Sequence, residues 1–187
     1  MELKTKLSRA VGMLSKIRHY VKLETLINIY YGIFSSLIRY GSQIWGQHNS
    51  AVKKIQGIQN KALRIMNFSS LRASVSPLLR KCNILKLCDI VSLQNFLFAH
   101  DSLRGNLPMS LTGRFTLVNT VNNTRNEMYQ QVNRDRSNTV TYGSFSIKSR
   151  SIDIWNSINK LFYNENLKQQ KRFYCKRKVT NFLLERY

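Results

Sequence analysis

The chain contains 187 residues, a length that favours one domain of ordinary size or a medium domain with a smaller one appended. Hydrophobic residues make up 43% of it and aromatic residues 11%, so the chain can build a core and is not a disordered tail. There are 30 Lys and Arg against 9 Asp and Glu, a formal net charge of +21 that favours an anionic partner, nucleic acid first and an anionic membrane surface second.

The first part of the chain predicts three helices. Apolar residues at helical spacing indicate a helix from about Leu3 to Val21. A continuous helix is expected from Leu23 to Trp45, and its apolar residues are alternately four and three apart: Leu26, Tyr30, Ile33, Leu37, Tyr40 and Ile44. A turn at 46–50 leads to a third helix, from the predicted N-cap Ser50 to about Met66. Residues 23–66 therefore predict a helical hairpin with an apolar inside and a basic outside.

The middle of the chain changes in character. Pro77 fits the first turn of a short helix, where its missing N–H costs nothing. A longer helix is expected from Leu87 to Leu103, ended by Gly105 and Pro108. The following stretch, 105–141, is rich in Asn, Thr and Gln without a sustained period, which indicates a long loop or weak β hairpins.

The C-terminal part returns to helical spacing. Residues Tyr142 to Ile147 alternate like a short strand, a helix is expected from a cap near Ser151, and the last helix is expected from about Leu167 to Arg186. The fold class is therefore mainly α. We predict a helical domain at 1–104, an irregular or weakly β connecting segment at 105–141, and a small C-terminal helical unit at 142–187.

Two of the predicted helices carry rows of basic residues that suit a phosphate backbone. In the hairpin, Lys54, Gly57, Lys61 and Arg64 recur every three or four residues and Lys53 flanks them. The last helix has Lys171, Arg172, Lys176, Arg177 and Lys178 beside the aromatic residues Phe173 and Tyr174. Each of these rows taken alone is more often a solvated face, and such aromatic residues, like Trp45 and Trp155, more often belong to the core. The overall charge makes nucleic-acid binding the favoured interpretation of both rows.

The sequence offers little for catalysis or metal binding. Its acidic residues are isolated, with no Asp-Asp pair, and it has no Gly-rich phosphate loop, GxSxG or HExxH motif. Cys82 and Cys88 are too far apart for a zinc-knuckle pair. We therefore predict no catalytic residue, no metal ligand and no cofactor on this chain.

Cysteine usage and hydropathy bear on the compartment. The three cysteines, an odd and widely spaced set, argue against a disulfide framework and fit a reducing environment. The longest apolar run, near Leu26 to Ile38, is too short and too one-sided to span a bilayer, and the N-terminal segment is unlike a signal peptide. The protein is expected to be soluble and intracellular, in the nucleus or the cytoplasm, without a membrane partner.

Several short motifs follow one another along almost the whole chain. They are Ile29-Tyr30, Tyr40-Gly41, Ile44-Trp45-Gly46, Ile58-Gln59-Asn60-Lys61-Ala62-Leu63-Arg64-Ile65, Pro77-Leu78-Leu79, Ile84-Leu85-Lys86-Leu87 with Asp89-Ile90, Asn123-Thr124-Arg125, Phe145-Ser146-Ile147, Trp155-Asn156-Ser157-Ile158, Phe173, and Phe182-Leu183-Leu184 near Tyr187. In this order they resemble the region downstream of the polymerase core in non-LTR (LINE-type, jockey-like) retrotransposon reverse transcriptases. Two prolines usual in the family are missing, one between Ser36 and Arg39 and one at Asn159, which suggests a diverged copy.

The resemblance implies a piece of an RNA-directed DNA polymerase with fingers, palm and thumb. This chain would be the thumb and the adjoining C-terminal segment, inactive alone, because the aromatic-Ala-Asp-Asp turn of the palm and its Mg²⁺ site lie outside it. The implied partners are RNA or an RNA–DNA template–primer duplex, gripped by the basic hairpin face, and the missing fingers and palm. Two alternatives are a stand-alone basic RNA- or DNA-binding module with a structural or regulatory role, and a peripheral membrane protein.

Overall fold

The computed structural model describes residues 2–111, 115–117, 131–134, 136, 139, 143, 146–162 and 165–187. Over these residues the chain is mainly α-helical, as predicted. The helices are α1 (Glu2–Ile17), α2 (Leu23–Ile29), a π-helical segment (Tyr30–Ser35), α3 (Ser36–Arg39), α4 (Ser42–Trp45), α5 (Asn49–Met66), α6 (Ser76–Lys81), α7 (Leu87–Leu103), α8 (Ile147–Leu161) and α9 (Arg172–Glu185).

The chain packs into two compact units. The first comprises Met1–Val91 with Phe182–Tyr187, and the second comprises Ser92–Asn181. Much of the predicted connecting segment, 105–141, lies outside the described residues, so the three-part division at 104 and 141 stays a prediction. Within the described part of that segment, an isolated antiparallel bridge joins Leu117 and Val132, and no strand is formed.

The predicted helix from Leu23 to Trp45 is not continuous α-helix. Its middle, Tyr30–Ser35, is a π-helix, in which hydrogen bonds run from residue i to i+5 and each turn holds more residues than in an α-helix. A stride of four residues then stays on one side, and the buried residues are Leu26, Tyr30, Phe34 and Ile38. The predicted alternation of four and three was therefore wrong beyond Tyr30, and Tyr40 and Ile44 are 86% and 70% exposed.

A glycine ends this run of helix before the predicted stop. Tyr40 is extended, and Gly41 has a φ of +62°, a left-handed conformation that costs glycine little because it has no Cβ. The chain changes direction here and then forms α4. At the other end of α4, Gly46 lies so close to α7 that a Cβ would be 2.7 Å from both methyl carbons of Val91. Trp45 lies between these two glycines.

The core of the first unit pairs α1 with α5. The two helices pack along each other, while α2 has a smaller contact with α5 and the π-helical segment also touches α1. Each large apolar side chain that is buried between helices contributes about 1.5–3 kcal/mol to the stability of the fold. The predicted two-helix hairpin is therefore a three-helix arrangement, with these buried residues on α1 and α5: Leu7, Ala10, Val11, Leu14, Ile55, Ala62, Leu63 and Met66.

Several predicted boundaries can be compared with the structure directly. Helix α7 has the predicted bounds, and Pro77 lies in the first turn of α6 as expected. Helix α5 begins at Asn49 after His48, so Ser50 is not its N-cap. Helix α8 begins at Ile147 with Ser146 as its cap, and Ser146 Oγ accepts a hydrogen bond from the Ser149 N–H at 3.2 Å.

In the second unit the core residue predicted at Trp155 is confirmed. Its indole is fully buried and stacks on Phe96, with ring centroids 5.2 Å apart. Ser151, predicted as a cap, is instead fully buried and donates to Asn95 Oδ1 at 3.4 Å. Half of the strand predicted at Tyr142 to Ile147 lies outside the described residues, and its last residue is the first residue of α8.

Candidate nucleic-acid interface

The inner side of α5 is fixed by a buried glutamine. Gln59 is fully buried, and its amide nitrogen donates to the Tyr30 hydroxyl and to the Leu85 carbonyl, both at 2.9 Å. Its amide oxygen accepts the Leu87 N–H at 2.9 Å. A buried amide with its hydrogen bonds satisfied sets the rotation of the helix, because turning α5 would leave these groups unpaired. The opposite side of α5 is consequently held toward solvent.

That outer side carries the lysine row, defined here as Lys53, Lys54 and Lys61. All three side chains are exposed. Gly57, between them, is also exposed, and a Cβ there would meet nothing within 4 Å, so an incoming ligand can approach the helix backbone. The predicted fourth member behaves differently: Arg64 is half-buried, and its Nε donates to the Ala73 carbonyl at 3.0 Å. Arg64 therefore holds the loop after α5.

The basic residues of the last helix have a different environment. Arg172 Nε donates to Asp101 Oδ2 at 2.8 Å. Lys178 forms an ion pair with Glu165, and its ammonium lies 4.9 Å from the centroid of the Phe162 ring. Two of the five phosphate-binding residues predicted for the last helix are thus already engaged by carboxylates within the second unit. The other three are exposed or half-buried: Lys171, Lys176 and Arg177.

The two aromatic residues beside these cations are not part of the core. Phe173 is 74% exposed, and Tyr174 is partly exposed with its hydroxyl donating to Glu165 Oε2 at 3.3 Å. The expectation that both belong to the core was therefore wrong. Because α9 begins at Arg172 and not at Leu167, Phe173 lies in its first turn, on the outer side of the helix.

A basic residue that spacing alone does not reveal lies near the lysine row. Lys4 of α1 and Lys54 of α5 line the same cleft, about 380 Å³ in volume, which we call the lysine cleft. Its other walls are Leu3, Trp45, Ser50, Ala51 and Ile55. Trp45 was predicted to be core but is only half-buried, and it faces this cleft. The packing of α1 against α5, 50 residues later in the sequence, creates the cleft.

Carboxylates in the first unit are scarce and partly engaged. They are Glu2, Glu24, Asp89 and Glu185. Glu2 pairs with Lys6 at 2.6 Å, and the hydrogen bond from Lys6 lowers the pKa of Glu2. Asp89 accepts the Tyr187 hydroxyl at 2.5 Å. The positive charge of this unit is consequently compensated only in small part by its own side chains.

The described residues also bear on metals and membranes. Among them, no group of three or more His, Cys, Asp or Glu side chains is arranged to hold a metal ion. No helix in the described part of the chain is long and apolar enough to cross a membrane. What the site offers is therefore a set of ammonium groups on a rigid helix, a geometry for holding an anion.

The chain was also compared with known proteins. Neither the family models, nor the curated proteins, nor the solved structures compared with the chain give a match. The family resemblance drawn from the ordered motifs accordingly stays a prediction.

Proposed function

We propose that this protein binds nucleic acid along its phosphate backbone through the lysine row of α5. The observation that carries the proposal is the orientation of that helix. Gln59 fixes the inner side, and Lys53, Lys54 and Lys61 extend from the outer side into solvent. Ammonium groups act as point charges and suit phosphates without demanding one fixed geometry.

The dimensions of the row fit a polynucleotide better than a small anion. Lys54 and Lys61 are seven residues apart, which at 1.5 Å per residue is about 10 Å along the helix. One strand of a duplex advances about 3.4 Å per nucleotide, so the row can follow about three phosphates. The net charge of +21 adds a favourable long-range field for such a polyanion.

The motif resemblance makes the proposal more specific. On that reading the ligand is an RNA–DNA template–primer duplex, and the chain is the thumb and C-terminal segment of a non-LTR retrotransposon reverse transcriptase. The fingers and the palm, with its Mg²⁺, would be supplied by the rest of the polymerase, and the protein would act in the nucleus or the cytoplasm. The alternative, a stand-alone RNA- or DNA-binding module, uses the same surface. An in-frame or frameshifted palm upstream of the Met1 codon supports the first reading, and a genuine transcript starting at Met1 supports the second.

The proposal is tested by measuring affinity for a short RNA–DNA hybrid at increasing salt. Each phosphate contact contributes about 0.9 to the slope of log K against log salt. The variant K53Q/K54Q/K61Q is expected to reduce the slope by about 2 to 3 units. A matched control, K16Q/K22Q/K81Q, removes the same charge from exposed lysines elsewhere in the first unit and is expected to change the slope by less than 1.

Two results would contradict the proposal. The first is a wild-type protein that does not bind the hybrid at low salt, or binds it without salt dependence. The second is an equal loss of slope in the two triple variants, which would mean that total charge and not the α5 surface determines binding.

A further inference from the structure

The lysine cleft has a property that the lysine row lacks, a large apolar wall beside its charges. Resting on the proposed function, we propose that this cleft holds one unpaired nucleotide, with the base against the Trp45 indole and the phosphate near Lys4 and Lys54. The site would add recognition of single-stranded nucleic acid to the backbone grip of α5.

The indole is held in place by its own segment. Trp45 Nε1 donates to the Tyr40 carbonyl at 3.1 Å, so its polar atom is satisfied and the ring surface is what it offers to the cleft. The next residue, Gly46, packs closely against Val91, which holds the backbone at this end of α4 in place. A ring fixed in this way loses little conformational freedom when a ligand stacks on it.

The chemistry of the cleft matches a nucleotide. Its apolar walls, Leu3, Ala51, Ile55 and the indole, suit a flat base. The two lysines that line it come from different helices, Lys4 from α1 and Lys54 from α5, and supply positive charge for a phosphate. In a duplex, the faces of a base are covered by its neighbours in the stack, so a base enters such a cleft only from a single strand or a strand end. The cleft therefore favours unpaired over paired nucleic acid.

The continuation of the charges favours a polymer over a lipid headgroup. Lys54 belongs both to the lysine cleft and to the lysine row, so a strand whose nucleotide occupies the cleft can continue along α5 toward Lys61. An anionic membrane surface is the competing occupant, because it also combines apolar and negatively charged groups.

Tryptophan fluorescence offers a direct test, because the protein has two tryptophans and Trp155 is fully buried against Phe96. Adding a single-stranded RNA oligonucleotide is expected to quench Trp45. The variant W45A is expected to weaken single-strand binding by about 5- to 150-fold, the range for losing one stacked base. Its affinity for the RNA–DNA hybrid should change less than twofold. The variant W45F keeps an aromatic ring and should recover most of the single-strand affinity.

Two matched controls separate this site from general effects. Tyr20 is an 86% exposed aromatic residue that does not line the cleft, so Y20A should leave single-strand affinity unchanged. On α1, K4Q should weaken single-strand binding more than K16Q, although both lysines are exposed and each change removes one charge. If W45A proves unstable in thermal unfolding, the comparison of K4Q with K16Q decides the question alone.

The outcomes distinguish this inference from the proposed function. If the hybrid binds with the expected salt slope but W45A weakens single strands and hybrid equally, or K4Q behaves as K16Q, the cleft inference is wrong and the proposed function stands. If neither nucleic acid binds, the proposed function fails and this inference with it. Quenching of Trp45 by vesicles containing an anionic lipid, not reversed by the oligonucleotide, would overturn the inference in favour of a membrane surface.

Discussion

The basic rows on α5 and α9 look alike in sequence but differ in the folded protein. On α5, Lys53, Lys54 and Lys61 point away from a buried glutamine into solvent. On α9, Arg172 and Lys178 meet carboxylates. Among the described residues no carboxylate forms an ion pair with the α5 lysines, and a row of cations suits an external anion only where no internal anion meets it.

The carboxylates responsible come from elsewhere in the chain. Asp101 lies 71 positions before Arg172 in the sequence, at the end of α7, and Glu165 lies in the segment before α9. A pattern within one helix contains no information about such partners. The prediction from the sequence of α5 is more reliable than that for α9, because the first unit has few carboxylates that could pair with its lysines.

The largest effect on stability is expected from replacing Gln59, the residue that orients α5. The substitution Q59L leaves the Tyr30 hydroxyl and the Leu85 carbonyl without their buried partner, and we expect a loss of about 3 kcal/mol or more in the free energy of unfolding. Chemical denaturation measures it. The control is Q56A, because Gln56 also accepts the Leu87 N–H but Gln59 would continue to do so, and a loss near 1 kcal/mol or less is expected. Equal losses would mean that Gln59 does not set the helix orientation.

The next prediction compares the loss of stability when one cation is removed from each row. The substitution R172Q leaves Asp101, 13% exposed, without its guanidinium, and should cost about 1–3 kcal/mol of stability. The substitution K53Q should change stability by less than about 0.5 kcal/mol, since the side chain is exposed. Thermal unfolding of both variants tests the contrast. A stable R172Q would show that Arg172 is as available to an external anion as Lys53.

The sequence predicted the regular features of the fold and missed those that depend on distant contacts. Helix α7 was predicted with its bounds because its apolar residues recur at helical spacing and a following glycine and proline mark its end. The π-helical segment was missed because its stride of four residues overlaps with α-helical spacing over two turns. Ser36 Oγ, which donates to the Gly32 carbonyl at 2.7 Å, gives a local hint of the altered turn.

The candidate site was predicted in part. Exposure of Lys53, Lys54 and Lys61 follows from helical periodicity alone. The signal for Gln59 was a polar residue four positions after Ile55 and three before Ala62, on the apolar side of the helix. Lys4 had no signal, because its place beside Lys54 depends on how α1 packs against α5.

In the first unit, the carboxylate of Asp89 accepts a hydrogen bond from a hydroxyl group, whereas the carboxylates near α9 meet cations. Tyr187 Oη donates to Asp89 and accepts the Lys86 N–H at 2.7 Å, at the start of α7. Removing the hydroxyl in Y187F should destabilise the protein by about 1–2 kcal/mol. The exposed Tyr20 provides the control, and Y20F should be neutral. The two melting curves would coincide if this bridge contributes nothing.

The smallest predicted effect depends on pH. Burial raises the pKa of Tyr30 well above its usual value, although the hydrogen bond from Gln59 acts in the opposite direction. A raised pKa in the folded state stabilises the protein fully below the pKa of the unfolded chain, about 10, and this contribution is lost as pH rises further. Relative to Y30F, the wild type should lose a little under 1 kcal/mol between pH 8 and pH 10.5. A difference independent of pH would contradict the burial of the hydroxyl.

The most direct test of the central claim compares two double variants in the salt dependence of RNA–DNA hybrid binding. K53Q/K54Q removes two exposed lysines of α5, and R172Q/K178Q removes the two cations of α9 that meet carboxylates. We predict that the first lowers the slope of log K against log salt by about 1.8 units and the second by less than 0.5. Equal losses, or a larger loss in the α9 variant, would contradict the account.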